Sequence, residues 1–185
     1  MILPVYLYGS PVLRKKSEIV KKDHENLGQL IEDMFETMYN AAGVGLAAPQ
    51  TGKSLRLFVI DASPMAEDDP RAEGFKKAFV NPEILERYGE DEIFCEGCLS
   101  LPEFREDVIR KNAIKIKYFD ENFNEYIEEY DGIRARIIQH EYDHIEGILF
   151  ADLLSPLRKK LVKRKLNNIA EGKINTAYKS KTENR

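Results

Sequence analysis

His140-Glu141-Tyr142-Asp143-His144 holds two imidazoles and a carboxylate at a spacing suited to hydrolysis. Histidines four residues apart on a helix point the same way, so both rings can grip one metal ion. Glu141 lies beside them and can act as general base toward a water that the metal holds. The chain has three histidines, and two of them fall here, which argues against an accidental spacing. A catalytic site still needs a third protein ligand and one open position. The candidates are Cys98, Cys95, His24 or a carboxylate elsewhere. Cys95-Glu96-Gly97-Cys98 has the spacing of a zinc knuckle and admits a rival, a closed structural site of two sulfurs and two imidazoles. If the chain stays extended there, its sulfurs alternate to opposite faces and only one reaches the metal. A tight knuckle would bring both. Glu141 favours the open site, because a closed one has no use for that carboxylate. A redox Cys-x-x-Cys pair is a weaker reading, since Leu101-Pro102 follows too soon for the helix such a pair usually opens.

The elements that must position these groups are visible in the periodicity. Asp131-Gly132 opens the helix carrying the histidines and Gly147 ends it. At 100° per residue, Ile133, Ile137, His140, Glu141 and His144 share an arc of about 100°, so apolar residues sit directly above the ligands. Asp143 and Tyr142 turn away from that stripe, towards an ion pair elsewhere and towards packing. A first long helix is predicted over Lys21–Ala42, with Asp23 as cap and Leu27, Leu30, Ile31, Met34 and Met38 on its buried face. His24, in its first turn, reads as inert. Strands are predicted at Leu55–Asp61, Phe79–Leu85 and Arg87–Phe94. A hairpin is predicted from Ala113–Phe119 and Phe123–Tyr130 around Asp120-Glu121-Asn122. Ala62–Lys77 reads as a polar surface excursion. A last helix should start near Ser155-Pro156 and run to about Ala170.

Length and composition bound the rest. With 185 residues, 43% hydrophobic and 32% charged, the chain fits one globular domain over residues 1–170, with 171–185 a polar tail expected to lack order. No apolar run reaches membrane-spanning length, and Met1-Ile2-Leu3-Pro4 lacks a basic region before an apolar stretch, so the expectation is a cytoplasmic protein without a membrane partner. Two cysteines make no disulfide framework. The net charge of −4 divides unevenly: residues 157–185 carry +8 and the rest −12. A helix of that sign suits RNA or another anionic surface, though an ordinary solvated helix has the same composition.

Three stretches together resemble the peptide deformylase family: Gly43-Val44-Gly45-Leu46-Ala47-Ala48-Pro49-Gln50, Glu96-Gly97-Cys98-Leu99-Ser100 and Gln139-His140-Glu141-Tyr142-Asp143-His144. Each is moderately specific alone; in this order and with these separations they are highly specific, over roughly residues 3–165. The resemblance implies an α+β fold, with antiparallel strands packed around the metal-binding helix and a helix near each end. It implies Cys98, His140 and His144 as ligands of one divalent ion, with Cys95 outside. Fe2+ is expected, and Zn2+, Ni2+ or Co2+ can occupy such a site. The implied substrate is a nascent polypeptide starting with N-formylmethionine, cleaved to formate and a free amine. Glu141 would take the water proton, while the Gln50 side-chain amide and the Leu99 N–H would stabilise the oxyanion. Val44-Gly45-Leu46 would pair with the extended peptide, and Val44, Ile133 and Ile137 would bound an apolar pocket for its methionine. Gly97 would serve tight backbone geometry, and Arg105 would lie near the peptide or in a surface ion pair. The Ala62–Lys77 excursion is longer than the matching turn of many relatives; it either borders the cleft or is decoration. The basic last helix could dock near the ribosomal exit tunnel.

Two other classes fit parts of this pattern: a zinc peptidase of the His-Glu-x-x-His type with a distal third ligand, and a metal-stabilised RNA-binding module without catalysis. Cys98→Ser separates the first from a deformylase. With Cys98 as ligand, the metal content of the purified variant is expected to collapse; full metal in elemental analysis would point to the peptidase.

Overall fold

Leu57–Asp61 is a strand with apolar side chains on both faces, and the architecture follows from covering both. The computed structural model describes residues 1–182. The elements run β1 (Val5–Tyr6), α1 (Leu27–Asn40), β2 (Gly45–Ala47), β3 (Leu57–Asp61), β4 (Lys76–Cys98), β5 (Leu101–Phe119), β6 (Glu125–Asp131), α2 (Gly132–Ile145), α3 (Pro156–Ala170) and β7 (Ser180–Lys181). Strands β2 to β6 form one antiparallel sheet in chain order, which leaves β2 and β6 at its edges.

Alternation along β3 sends Leu57 and Val59 to one face and Phe58 and Ile60 to the other. The first pair meets Leu27, Leu30, Met34 and Met38 of α1. The second joins Phe79, Ile114, Ile116 and Tyr118 under Ala135, Ile138 and Ile145 of α2. A third cluster, with Leu101, Phe104 and Val108 against Val162, Leu166 and Ile169, seats α3 on the start of β5. The fold is α+β, with α1 and α2 packed on opposite faces of the sheet. No helix among the described residues is long and apolar enough to cross a membrane.

Several boundaries differ from those predicted. Helix α1 begins at Leu27 rather than Lys21, because Asn26 sits at φ 60°, outside helical geometry. The two strands predicted within 79–94 are one strand, β4. Register shifts near residues 80–83, 84–86 and 88–91 interrupt its alternation and make it read as pieces. Its partner β5 starts twelve residues before the predicted Ala113. The excursion folds into two 3-10 turns, Ser63–Met65 and Pro70–Ala72. The tail expected to lack order is tied down: β7 pairs in parallel with β1. Main-chain hydrogen bonds outweigh its polar composition; residues 183–185 lie outside the described part.

Candidate metal centre

The extended course of β4 decides which sulfur can reach α2. Residues two apart on a strand share a face, so Glu96 and Cys98 look towards α2, while Cys95 is exposed on the cleft wall. Cys98 Sγ and ring nitrogens of His140 and His144 lie within 4.8 Å of one another, and this cluster does not include Cys95. Cys98 Sγ is 3.2 Å from His144 Nε2. Tetrahedral coordination at ordinary metal–sulfur and metal–nitrogen lengths separates such atoms by about 3.5 Å, so the donors suit one small cation. His24 is not in the cluster.

Charges around the rings favour a cation between them. His140 Nδ1 is 2.9 Å from Glu96 Oε2, which leaves Nε2 for the cleft. Burial alone would lower the His140 pKa, but Cys98 and Glu96 together hold it well above the ordinary value. His144 is held well below it, by burial and then by His140.

Glu96 is the residue that motif reading did not weigh as part of the site. It is 4% exposed, yet its two oxygens take Arg110 Nε at 2.7 Å, Arg136 Nη1 at 3.0 Å and Arg110 Nη2 at 3.1 Å besides His140. Arg110 reaches on to Asp143 at 2.7 Å. Asp143 thus does pair away from the ligands, as its place on the helix predicts, but through a guanidinium that also grips the support of His140. Burial works to raise the Glu96 pKa; the His140 and Arg110 hydrogen bonds overcome it and hold the carboxylate well below its usual range. One signal in the sequence could have found this: Arg136 lies one helical turn before His140 and so on the same side.

Glu141 is 4% exposed, and its Oε2 has no hydrogen-bond partner. Burial pushes its pKa up to about 7. It fits because residue 45 is glycine: a Cβ there would come within 2.8 Å of the Glu141 carboxyl carbon. Gln50 is oriented by its own backbone surroundings. Its Oε1 accepts from Ala47 N–H at 2.8 Å, which turns Nε2 towards Ser100 Oγ at 3.2 Å and Cys98 Sγ at 3.4 Å.

These groups open into a cleft of about 940 Å³, which Val44, Ile133 and Ile137 line as an apolar patch beside His140 and Glu141. Leu99, Gly97 and Arg105 line it too, and the Arg105 side chain lies over Gly97, within 3.3 Å of where a Cβ would stand. Pro64 and Met65 place the excursion at the border of the cleft. Tyr142 is partly buried against the core, as expected of its face of α2. Residues 175–178 form a further wall that the sequence reading did not anticipate.

A family model described as polypeptide deformylase matches residues 2–160. The chain is 54% identical to a peptide deformylase of Christiangramia forsetii, an alignment covering 100% of this chain and 97% of that protein. It is 53% identical to one of Flavobacterium psychrophilum, over 98% and 97%. Among solved structures, the peptide deformylase of Thermus thermophilus superposes with a TM-score of 0.82 at 40% identity, over 93% of this chain and 99% of that one. That of Legionella pneumophila gives 0.80 at 38% identity, over 94% and 98%.

Removing the Glu96 charge leaves buried Arg136 with carbonyl partners alone and buried Arg110 with only Asp143. Glu96→Gln is expected to cost about 3–5 kcal/mol in denaturant unfolding of the metal-free protein. Because the folded-state pKa is depressed, this contribution is present above the ordinary value of 4.5 and is lost as pH falls below it. The gap between variant and wild type should therefore close in acid; a gap that is absent at pH 7 would contradict the assignment.

Proposed function

This chain belongs to the polypeptide deformylase family and is a hydrolase of N-formylmethionyl peptides; from that premise we propose how its residues divide the work. The observation that carries the reading is the meeting of Cys98, His140 and His144 with an unpaired, buried Glu141 in one cleft.

Cys98, His140 and His144 would hold one divalent ion, Fe2+ by family resemblance, with Zn2+, Ni2+ or Co2+ able to substitute. When bound, the ion lowers the pKa of water and so supplies a nucleophile at neutral pH. Glu96 holds His140 through Nδ1, which would leave Nε2 free to hold the ion. Glu141, with a pKa near 7, accepts the water proton and returns it to the departing amine. The Gln50 amide, fixed before substrate arrives, and the Leu99 N–H donate to the oxyanion. Strand β2 is an edge of the sheet, so Val44-Gly45-Leu46 offers free main-chain groups to an extended peptide. Val44, Ile133 and Ile137 receive the methionine side chain, and Gly97 and Arg105 border the peptide beyond it. The chain acts as one catalytic domain in the cytoplasm.

The basic face of α3 supports ribosome docking near the emerging substrate. Lys159, Lys160, Lys163, Arg164 and Lys165 are exposed, while Arg158 is engaged by Glu106 at 2.7 Å.

Two experiments test this reading. Anaerobically prepared wild type should release formate from a formyl-Met peptide. Glu141→Gln should retain metal yet lose activity by at least about 100-fold, a typical contribution of general base catalysis; an active variant would rule Glu141 out as the base. Replacing Lys159, Lys160, Lys163 and Arg164 by Ala should weaken ribosome binding and flatten its salt dependence. Equal affinity at every salt concentration would end the docking proposal.

A further inference from the structure

The chain after α3 forms a wall of the cleft for which the metal chemistry gives no reason. Gly172, at φ 67°, turns the backbone, and β7 then docks on β1 through main-chain bonds. Val5 N–H donates to Lys179 C=O and Leu7 N–H to Lys181 C=O, each at 2.9 Å. Thr176 braces the stretch from within, its hydroxyl donating to the Tyr178 carbonyl at 2.7 Å. Between these anchors, Asn175, Thr176, Ala177 and Tyr178 line the same cleft as Cys98, His140 and Glu141.

Tyr178 does more than fill space. Its hydroxyl donates to the Leu99 carbonyl at 2.6 Å, across 79 residues of chain. That bond completes a set of restraints on the turn after β4. The Ser100 carbonyl accepts from Tyr8 N–H at 2.8 Å, and the Ser100 hydroxyl meets the Gln50 amide at 3.2 Å. The Leu99 side chain occupies the room that Gly43 leaves, since a Cβ on residue 43 would come within 2.8 Å of Leu99 Cδ1. Leu99 is thus held through its side chain by the segment leading into β2 and through its carbonyl by the tail. Donors aimed at a developing charge are effective only when fixed beforehand. Losing the hydroxyl would free the Leu99 carbonyl and let the residue shift.

We propose that Asn175–Tyr178 is a working part of the site: Tyr178 is a positioning residue that sets Leu99, and Ala177 meets the substrate peptide beyond its formyl-methionine. A peptide laid on the free edge of β2 leaves the cleft between that strand and the tail, because both line it. Ala177 is exposed there, and its small side chain admits varied residues. The tail is accordingly a specificity surface as well as a brace. The inference rests on the deformylase reading.

Full-length wild type, Tyr178→Phe and Ala177→Glu are compared on the amidated peptides formyl-Met-Ala, formyl-Met-Ala-Lys and formyl-Met-Ala-Glu, with metal content and unfolding midpoint measured for each protein. Tyr178→Phe keeps the ring and removes one hydrogen bond; kcat should fall about 3–10-fold on all three peptides, with KM and midpoint retained. Ala177→Glu should shift the kcat/KM preference for the Lys over the Glu peptide by about 3–5-fold relative to wild type, the size of one exposed charge pair. An unchanged kcat in the first variant, a fall in kcat matched by a fall in midpoint, or an unchanged preference in the second overturns the proposal. Should Tyr178→Phe fail to fold, the preference of Ala177→Glu decides alone. Wild type that releases no formate from formyl-Met-Ala would instead sink the deformylase reading itself.

Discussion

Glu96 is the fixed point of this structure. A carboxylate removed from water is costly unless compensated, and here two guanidiniums and an imidazole compensate it. Those partners come from different elements: Glu96 from β4, Arg110 from β5, Arg136 and His140 from α2. Satisfying one charge therefore sets the height and rotation of α2 over the hairpin. The same strand then delivers Cys98 two residues later on the same face, at the end of the imidazole row. The position of the sulfur relative to the rings follows from where that buried ion pair seats the strand against the helix.

Around that frame the site combines a group that is over-supplied with partners and one that has too few. Glu96 is saturated and acidic. Glu141, one position after His140 on the same helix, has an oxygen without a partner, and burial carries its pKa to about 7. Opposite environments drive the two carboxylates apart, one held as an anion and the other with its pKa raised. The glycine at position 45 is part of that division, because only a residue without Cβ lets β2 close over the Glu141 carboxylate and keep solvent away.

Much of this was legible in the residues. Helical spacing put His140 and His144 on one face, the hairpin around Asp120–Asn122 formed as the alternation predicts, and α3 begins at Pro156 behind its Ser155 cap. The choice between Cys95 and Cys98 hung on whether the chain stays extended, and it does. What stayed hidden was non-local. The bulges that break the period of β4 concealed a 23-residue strand. Pairing of Glu96 with Arg110 depends on register across the hairpin, which local patterning does not carry. Two-residue strands such as β1 and β7 are too short to show any period, so the order of the tail could not be read from its polar composition.

The parallel pairing of β1 with β7 joins the beginning of the chain to residues synthesised some 175 positions later. Contacts so far apart in sequence form late, because loop closure precedes any gain from them. While the polypeptide is being made, Val5–Tyr6 must wait as an unpaired edge until Ser180–Lys181 leaves the tunnel. Only then does the cleft gain the wall formed by residues 175–178. Maturation of this molecule is in that sense timed by translation, and a copy released before its last residues would have its imidazoles and thiol in order but lack the wall formed by residues 175–178.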